Sequence, residues 1–412
     1  MPETDTEGPL SELTVVEMTA HRAGPFCGAL LADMGARVIK IERPGVGDPV
    51  RVQGVGQDGK TGYFVALNRN KESVTLDLKS DAGVEAARAL LADADVFVEN
   101  FGYGVTDKLG IGYDDLKELN PELVYASVKG YGETGPMREK PGLDLILQAE
   151  GGIMSVTGPE GGEPVKVGQA VGDLTAGMFA TIGVLARLHE RGRVGSGEGE
   201  NDGTNDEREF VGKLDVGLFD AIVTLLNEYL TNYSLTGEVP GPQGRSHQAL
   251  VPYQVFETGT KSIVTGVPSD ARWDAFVDVV GCESVREFET NRERMANAET
   301  VVGAIQDRLE EESAEHWLSV LTEAGFPCGP INDVADVVEH EQTAARDLVI
   351  EHTDPDAGEL LLPGHPINFP GFEDVVRSPA PRLGEHTDEV FSEVAGEQTT
   401  LSAWREGGAF GE

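Results

Sequence analysis

Lysine is scarce in this chain of 412 residues: there are 11, and Lys plus Arg number 32 against 72 Asp plus Glu, a formal charge of −40. A field of that sign repels nucleic acid and anionic lipid, so neither is expected as a partner. The acids are spread along the chain rather than gathered in a tail. That is the surface expected of a soluble protein of a salt-rich cytoplasm, where salt screens self-repulsion. Cysteine is equally sparse, and Cys27, Cys282 and Cys328 show no C-x-x-C spacing. A disulfide framework and a structural zinc site are therefore not expected, and no histidine pair has metal-ligand spacing, so no metal is expected either. No apolar run is long enough to span a bilayer. The start, "MPETDTEGPL", lacks the basic flank and apolar core of a secretion signal, so the expected location is cytoplasmic. No G-x-G-x-x-G follows the first strand and no G-x-x-x-x-G-K-[ST] occurs, which argues against a dinucleotide oxidoreductase and a P-loop enzyme.

What is present is a pattern of apolar strands separated by helices. "ELTVVEMT" (12–19), "ARVIKIER" (36–43), "DVFVENF" (95–101) and "ELVYASVKGY" (122–131) read as strands. Residues 24–35 read as a helix, and 81–94 as another with a capping aspartate. Such βαβ units predict an α/β fold with a mostly parallel, doubly wound, Rossmann-like sheet, whose ligands sit beyond the carboxyl ends of the strands. Those ends carry the glycine-rich turns "TAHRAGP", "ERPGVGDP", "ENFGYG" and "KGYGETGP". With 39% hydrophobic residues, the length predicts more than one domain. Residues 1–224, completed by 336–412, are assigned to the large domain and 225–335 to a smaller α+β domain. The polar, acidic stretch 195–210, "GSGEGENDGTNDEREF", reads as a mobile insertion. "KLDVGLFDAIVTLLNEYLTNYSL" then reads as a strand and one long helix.

In "VGQAVGDLTAGMFATIGVL" (167–185), Asp173 stands among small residues where a helix begins. Asp is a favoured helix N-cap, and the spacing of Leu174, Met178, Ile182 and Leu185 is helical, so capping alone accounts for it.

Seven stretches in order resemble the class III coenzyme A transferases, which include formyl-CoA transferase, carnitine CoA-transferase and α-methylacyl-CoA racemase. They are "AGPFCGALLADMGARVIKIERPGVGDPVR", "NRNKESVTLDLKS", "DVFVENF", "ASVKGYGETGP", "GDLTAGMFA", "GFPCGPI" and "LGEHTDEV". The resemblance covers residues 12–395 and implies an interlinked homodimer, a CoA thioester as substrate and no tightly bound cofactor. It also implies that Asp173 is the nucleophile. An ionised carboxylate attacks a thioester without a general base, giving first an aspartyl anhydride and then an aspartyl-CoA thioester. A helix N-terminus would favour its charge, making cap and nucleophile one group.

By position in these motifs, the resemblance implies CoA contacts from His21, Arg22 and Ala23 after the first strand and from Arg43 after the second. It implies further contacts from Leu78 and Lys79 in "LDLK", from Asn100, Phe101 and Gly102 in "VENFG", and from Lys108 and Lys140. Each cation is equally readable as a solvated surface charge. Gly172 and Gly177 would leave room for an acyl group, or serve helix packing. Asp144 would orient substrate beside the site, or cap the helix that follows it, and His247 would approach the acyl group. Leu143 stands where the racemases carry a histidine, which favours transfer over racemisation. Arg22 replaces a glutamine of the formyl-CoA transferases. It would pair with the distal carboxylate of a dicarboxylic acid, or touch the pyrophosphate. The expectation is transfer from succinyl-CoA to mesaconate, citramalate or malate. Intramolecular transfer, racemisation and a non-catalytic CoA-binding protein are the alternatives.

Overall fold

Alternate residues of the first strand, β1 (Thr14–Met18), enter different cores: Val15 packs on one side of a sheet and Val16 on the other. The same split recurs in β2 (Arg37–Glu42), where Val38 and Ile39 face opposite ways. The computed structural model describes residues 8–57, 60–196, 210–372 and 375–411. With β3 (Lys71–Thr75), β4 (Val96–Glu99), β5 (Val124–Lys129) and β6 (Lys213–Gly217), these strands form one sheet in the order β3-β2-β1-β4-β5-β6, parallel throughout. This is the doubly wound order, with its reversal between β1 and β4.

One face is covered by α1 (Ala23–Asp33) and a long helix, Val171–Ser196, through Cys27, Leu31, Ala176, Ala180 and Val184. The 23 residues Val171–Arg193 have the length and composition of a membrane span, yet these contacts make them a core helix. The other face is covered by α2 (Asp81–Ala92) and by the C-terminal helices Thr387–Ala395 and Gln398–Glu406, which contribute Phe391, Leu401 and Trp404.

Contacts divide the chain into two units. One comprises 1–153, 167–228 and 347–412, and the other 154–166 and 229–346. The sequence reading placed 154–166 and 336–346 in the large domain; their contacts put both with the small unit. That unit has a three-stranded antiparallel sheet, Cys328–Pro330, Ile263–Gly266 and Tyr253–Phe256 in that order, packed by helices Trp273–Val280, Ala298–Leu309 and Ala314–Glu323. Trp273, Phe276, Ile305 and Trp317 fill its core.

Three local readings are corrected. β3 is not among the strands read from the sequence, because "KESVT" carries two charges and a serine that are satisfied by side-chain partners inside the fold. The helix at 81 is capped by Ser80, whose hydroxyl accepts the Gly83 N–H, and Asp81 lies in its first turn. The single helix expected after β6 is two, Leu218–Leu225 and Glu228–Thr236, separated at Asn227 with φ 35°. The expectation for 195–210 falls largely outside the described residues.

Candidate active site

The carboxyl ends of β1 and β4 lie side by side where the strand order reverses, the crevice in which doubly wound sheets bind ligands. Residues 20–23 leave β1 there and 100–102 leave β4. Asn100 joins the two turns. Its Oδ1 accepts the Ala20 N–H at 2.8 Å and its amide donates to the Ala20 carbonyl at 2.7 Å. Asn100 is thus a clamp on backbone, not the free ligand contact its motif position suggests. The next residue of the β1 turn, His21, is left-handed at φ 65°, a conformation unusual outside glycine.

Above these turns stand two helices, α3 (Asp144–Glu150) and α4 (Val171–Ser196). Asp173 is the third residue of α4, inside its first turn. The carboxylate that caps α4 is Asp144: its Oδ1 accepts the Gly172 N–H at 2.8 Å and the Asp173 N–H at 3.2 Å. This corrects both capping expectations. Asp173 is not the cap, and Asp144 caps α4 rather than its own helix. Buried Gln148 completes the arrangement. It donates to Asp144 Oδ2 at 2.6 Å and to the Gln169 carbonyl at 3.2 Å, and accepts the Val167 N–H at 2.9 Å.

The glycines serve packing. A Cβ on Gly172 would lie 2.7 Å from Ile222 Cδ1 and 3.0 Å from Asp144 Oδ1, and one on Gly177 would lie 2.7 Å from the Ala23 carbonyl oxygen. Their missing side chains let α4 approach α1 and Asp144 closely, and the space at those two points is taken by protein atoms.

Asp173 is half-buried and its acidity follows from its surroundings. Burial and the charge of Asp144 push its pKa up to about 7, against the pull of Arg22. Position in the first turn of α4 thus does not bring its acidity below the usual carboxylate range, because burial raises it. Arg22 is also drawn to Tyr63: its guanidinium lies 4.3 Å from the ring centroid and its Nε donates to the phenol at 3.3 Å. Burial raises the Tyr63 phenol above its usual range, Arg22 lowers it, and Asp173 and Asp48 add to the rise. A carboxylate that ionises near neutrality, with one cation beside it, suits a nucleophile that must be both anionic and poorly solvated.

The remaining residues divide. Arg43 and Lys79 are exposed on turns after β2 and β3, Lys108 is exposed at the end of the short helix Val105–Lys108 that follows β4, and Leu78 packs half-buried against the core. Phe101 is exposed and its N–H donates to Glu99 at 2.9 Å; Gly102 follows it on the same turn. Lys140 is paired with Glu150 and sits 5.2 Å from the Tyr131 ring centroid, so its charge is already used. His247 belongs to the small unit, where it stacks on Tyr253 at 5.1 Å. Among the described residues no three His, Cys, Asp or Glu are grouped as metal ligands. Tyr63 and Gln148 were missed. Tyr63 lies in a helix that Thr61 caps, inside a stretch read as loop, and a glutamine on a helix carries no motif of its own.

The chain is similar to known proteins over most of its length. The family model "CoA-transferase family III" matches residues 10–387. An acetyl-CoA:oxalate CoA-transferase of Acetobacter aceti is 36% identical over 94% of this chain and 96% of its own. A succinyl-CoA:mesaconate CoA-transferase of Haloarcula marismortui is 35% identical over 94% and 96%. The crystal structure of a CaiB/BaiF family protein from Brucella suis superposes with a TM-score of 0.81 at 33% identity, covering 94% of this chain and all of the other. With its doubly wound sheet, its half-buried aspartate at the head of α4 and this breadth of match, the chain belongs to CoA-transferase family III.

Proposed function

We propose that the enzyme moves CoA from succinyl-CoA to a free dicarboxylic acid such as mesaconate, citramalate or malate, with Asp173 as the covalent nucleophile. The Asp173 carboxylate attacks the thioester carbonyl, the C–S bond breaks and CoA leaves as thiolate, giving a mixed anhydride. The thiolate then attacks the aspartyl carbonyl of the anhydride and succinate departs, leaving an aspartyl-CoA thioester. The acceptor carboxylate displaces the thiolate to form a second anhydride. Attack of the thiolate on the acceptor acyl carbon releases the new CoA ester and restores Asp173. Each step exchanges one activated carboxyl for another, so no ATP is consumed, and the CoA thioester is substrate with no tightly bound cofactor.

The observation that carries this reading is the half-buried Asp173, whose first charge partner is another carboxylate and whose one attractive cation is Arg22. Arg22 supports the choice of a dicarboxylate, since a guanidinium binds a distal carboxylate in a two-pronged fashion. The names of the two relatives, which give oxalate and mesaconate as acceptors, support the same class. The backbone of the β1 turn at His21, with Arg43, Lys79, Phe101, Gly102 and Lys108 after the next strands, are the groups offered to CoA, whereas Ala23, the first residue of α1, is buried. A homodimer is part of the proposal. Met178, Phe179 and Ile182 on α4 and Leu145 and Ile146 on α3 are exposed apolar side chains of the kind a second copy would cover.

Incubation with succinyl-CoA and a panel of carboxylic acids, followed by mass spectrometry, tests the reaction. New CoA esters and an acyl or CoA adduct on Asp173 are expected. Turnover that survives in Asp173→Ala overturns the mechanism. Light scattering checks the dimer.

A further inference from the structure

Four consecutive backbone groups at the end of β1 are held by side chains from elsewhere in the sheet. The Thr19 carbonyl accepts from Lys40 Nζ at 2.8 Å, the Ala20 N–H and carbonyl are both taken by Asn100, and the His21 N–H donates to Asp48 Oδ1 at 3.2 Å. A backbone this heavily constrained carries a non-glycine residue at φ 65°. In dinucleotide-binding sheets the corresponding turn after the first strand is built from glycines, which adopt such angles freely.

The groups responsible lie deep. Lys40 is fully buried and Asp48 is 3% exposed. The Lys40 ammonium donates to the Thr19 carbonyl and to Glu17 Oε1 at 3.1 Å, and it pairs by charge with Asp48 Oδ2 at 3.2 Å. Asp48 Oδ2 makes no hydrogen bond, while Oδ1 also accepts the Val50 N–H at 3.2 Å. A buried ion pair of this kind is a poor source of stability, since desolvation consumes most of its Coulomb gain. Strain at a single residue that the surroundings over-determine is characteristic of functional sites. Arg22, the residue after the strained one, is the cation that acts on Asp173 and stacks on Tyr63.

We infer that Asp48, seated by Lys40, is a positioning residue that holds His21 left-handed and so aims Arg22 at the Asp173 site. This rests on Asp173 being the acyl acceptor. The role of His21 is then conformational, set by its backbone angle rather than by its imidazole.

A double-mutant cycle tests it. Asp48→Ala is expected to lower kcat/KM for the acyl-CoA about tenfold, the usual bias of a non-glycine residue against the left-handed region. In a His21→Gly background the same change costs less than about threefold, because glycine needs no restraint. Equal losses in both backgrounds overturn the proposal. Should Asp48→Ala fail to fold, the exposed His21 supplies the second arm. His21→Asn is expected within about threefold of His21→Gly, and His21→Val about tenfold below it, following the cost of positive φ. Equal activity of the Gly and Val variants overturns it. Calorimetric titration of the same proteins with CoA alone separates the two ideas. A wild type that binds CoA but transfers nothing sinks the Asp173 reading, while the affinity pattern of the variants still decides the role of Asp48.

Discussion

Glu42 and Asp173 are carboxylates of the same unit, both withdrawn from water, and they end in opposite states. Burial alone would raise Glu42, but the fork of Arg51 at 2.8 and 2.5 Å, the charge of Lys40 and the Ser73 hydroxyl at 2.6 Å bring it below its usual range. Asp173 is less buried, yet its acidity moves the other way, to about 7: burial raises it, Asp144 beside it adds to the rise, and among the described residues Arg22 is its one counter-charge. Depth does not make a carboxylate reactive; what decides is how many donors the fold allots to it. The sheet supplies Glu42 with a complete set and leaves Asp173 short.

The largest effect is expected where the short-changed carboxylate is removed. Asp173→Asn should lower transfer by at least about a thousandfold, the scale of losing a covalent nucleophile. The same change should leave the fold stronger. A group whose pKa is raised by folding contributes stability below its unfolded value of about 4 and loses it as pH rises through about 7. Thermal unfolding should therefore show a gain of up to about 4 kcal/mol at pH 8 that vanishes below pH 4. A loss of stability at pH 8 would break the comparison.

Glu42→Gln should behave in reverse, costing about 3 kcal/mol at pH 7 because Arg51 is left buried without its partner. Its pKa is depressed by folding, so this contribution is present above the unfolded value and disappears as pH falls through the folded one. Urea titrations at pH 7 and pH 3.5 check both signs. The pH at which transfer switches on should not move in this variant.

Asp144→Asn is expected to move that switch. It keeps an oxygen for the Gly172 and Asp173 N–H groups while deleting the neighbouring charge, so the acid limb of kcat/KM should fall by about one pH unit. An unchanged limb would mean that desolvation alone sets the acidity of Asp173. The smallest effect belongs to Lys140→Ala. Its ammonium is exposed and already paired with Glu150, so KM for the acyl-CoA should change less than about threefold.

The strands β1, β2, β4 and β5 were legible because their apolar runs lie in a sheet buried on both faces. β3 was not, since "KESVT" matches its polar residues to partners on other strands: Lys71 on Glu17, Ser73 on Glu42, Glu72 on Arg37. Asp173 and Arg22 were legible through their motifs. Asp144 was visible as a residue but not in its role, because a cap supplied from another helix leaves no spacing to read. Tyr63, Gln148, Asp48 and Lys40 act through contacts 19 to 41 positions apart in the chain, and no local pattern marks them. Asn100 and Lys140 were misread for a related reason. A motif gives position, and only the packed structure shows whether a polar group still has anything left to offer.

Gln148 grips Val167 and Gln169 at the point where the chain re-enters the sheet-bearing unit after its excursion through 154–166. The grip works as a strain relief does on a cable. Slack or tension introduced before residue 167 ends at that anchor and is not passed on to the turn that carries Asp173. A tag, a cleavage site or a longer loop spliced into the glycine-rich stretch 158–163 is accordingly expected to leave Asp173 in its alignment.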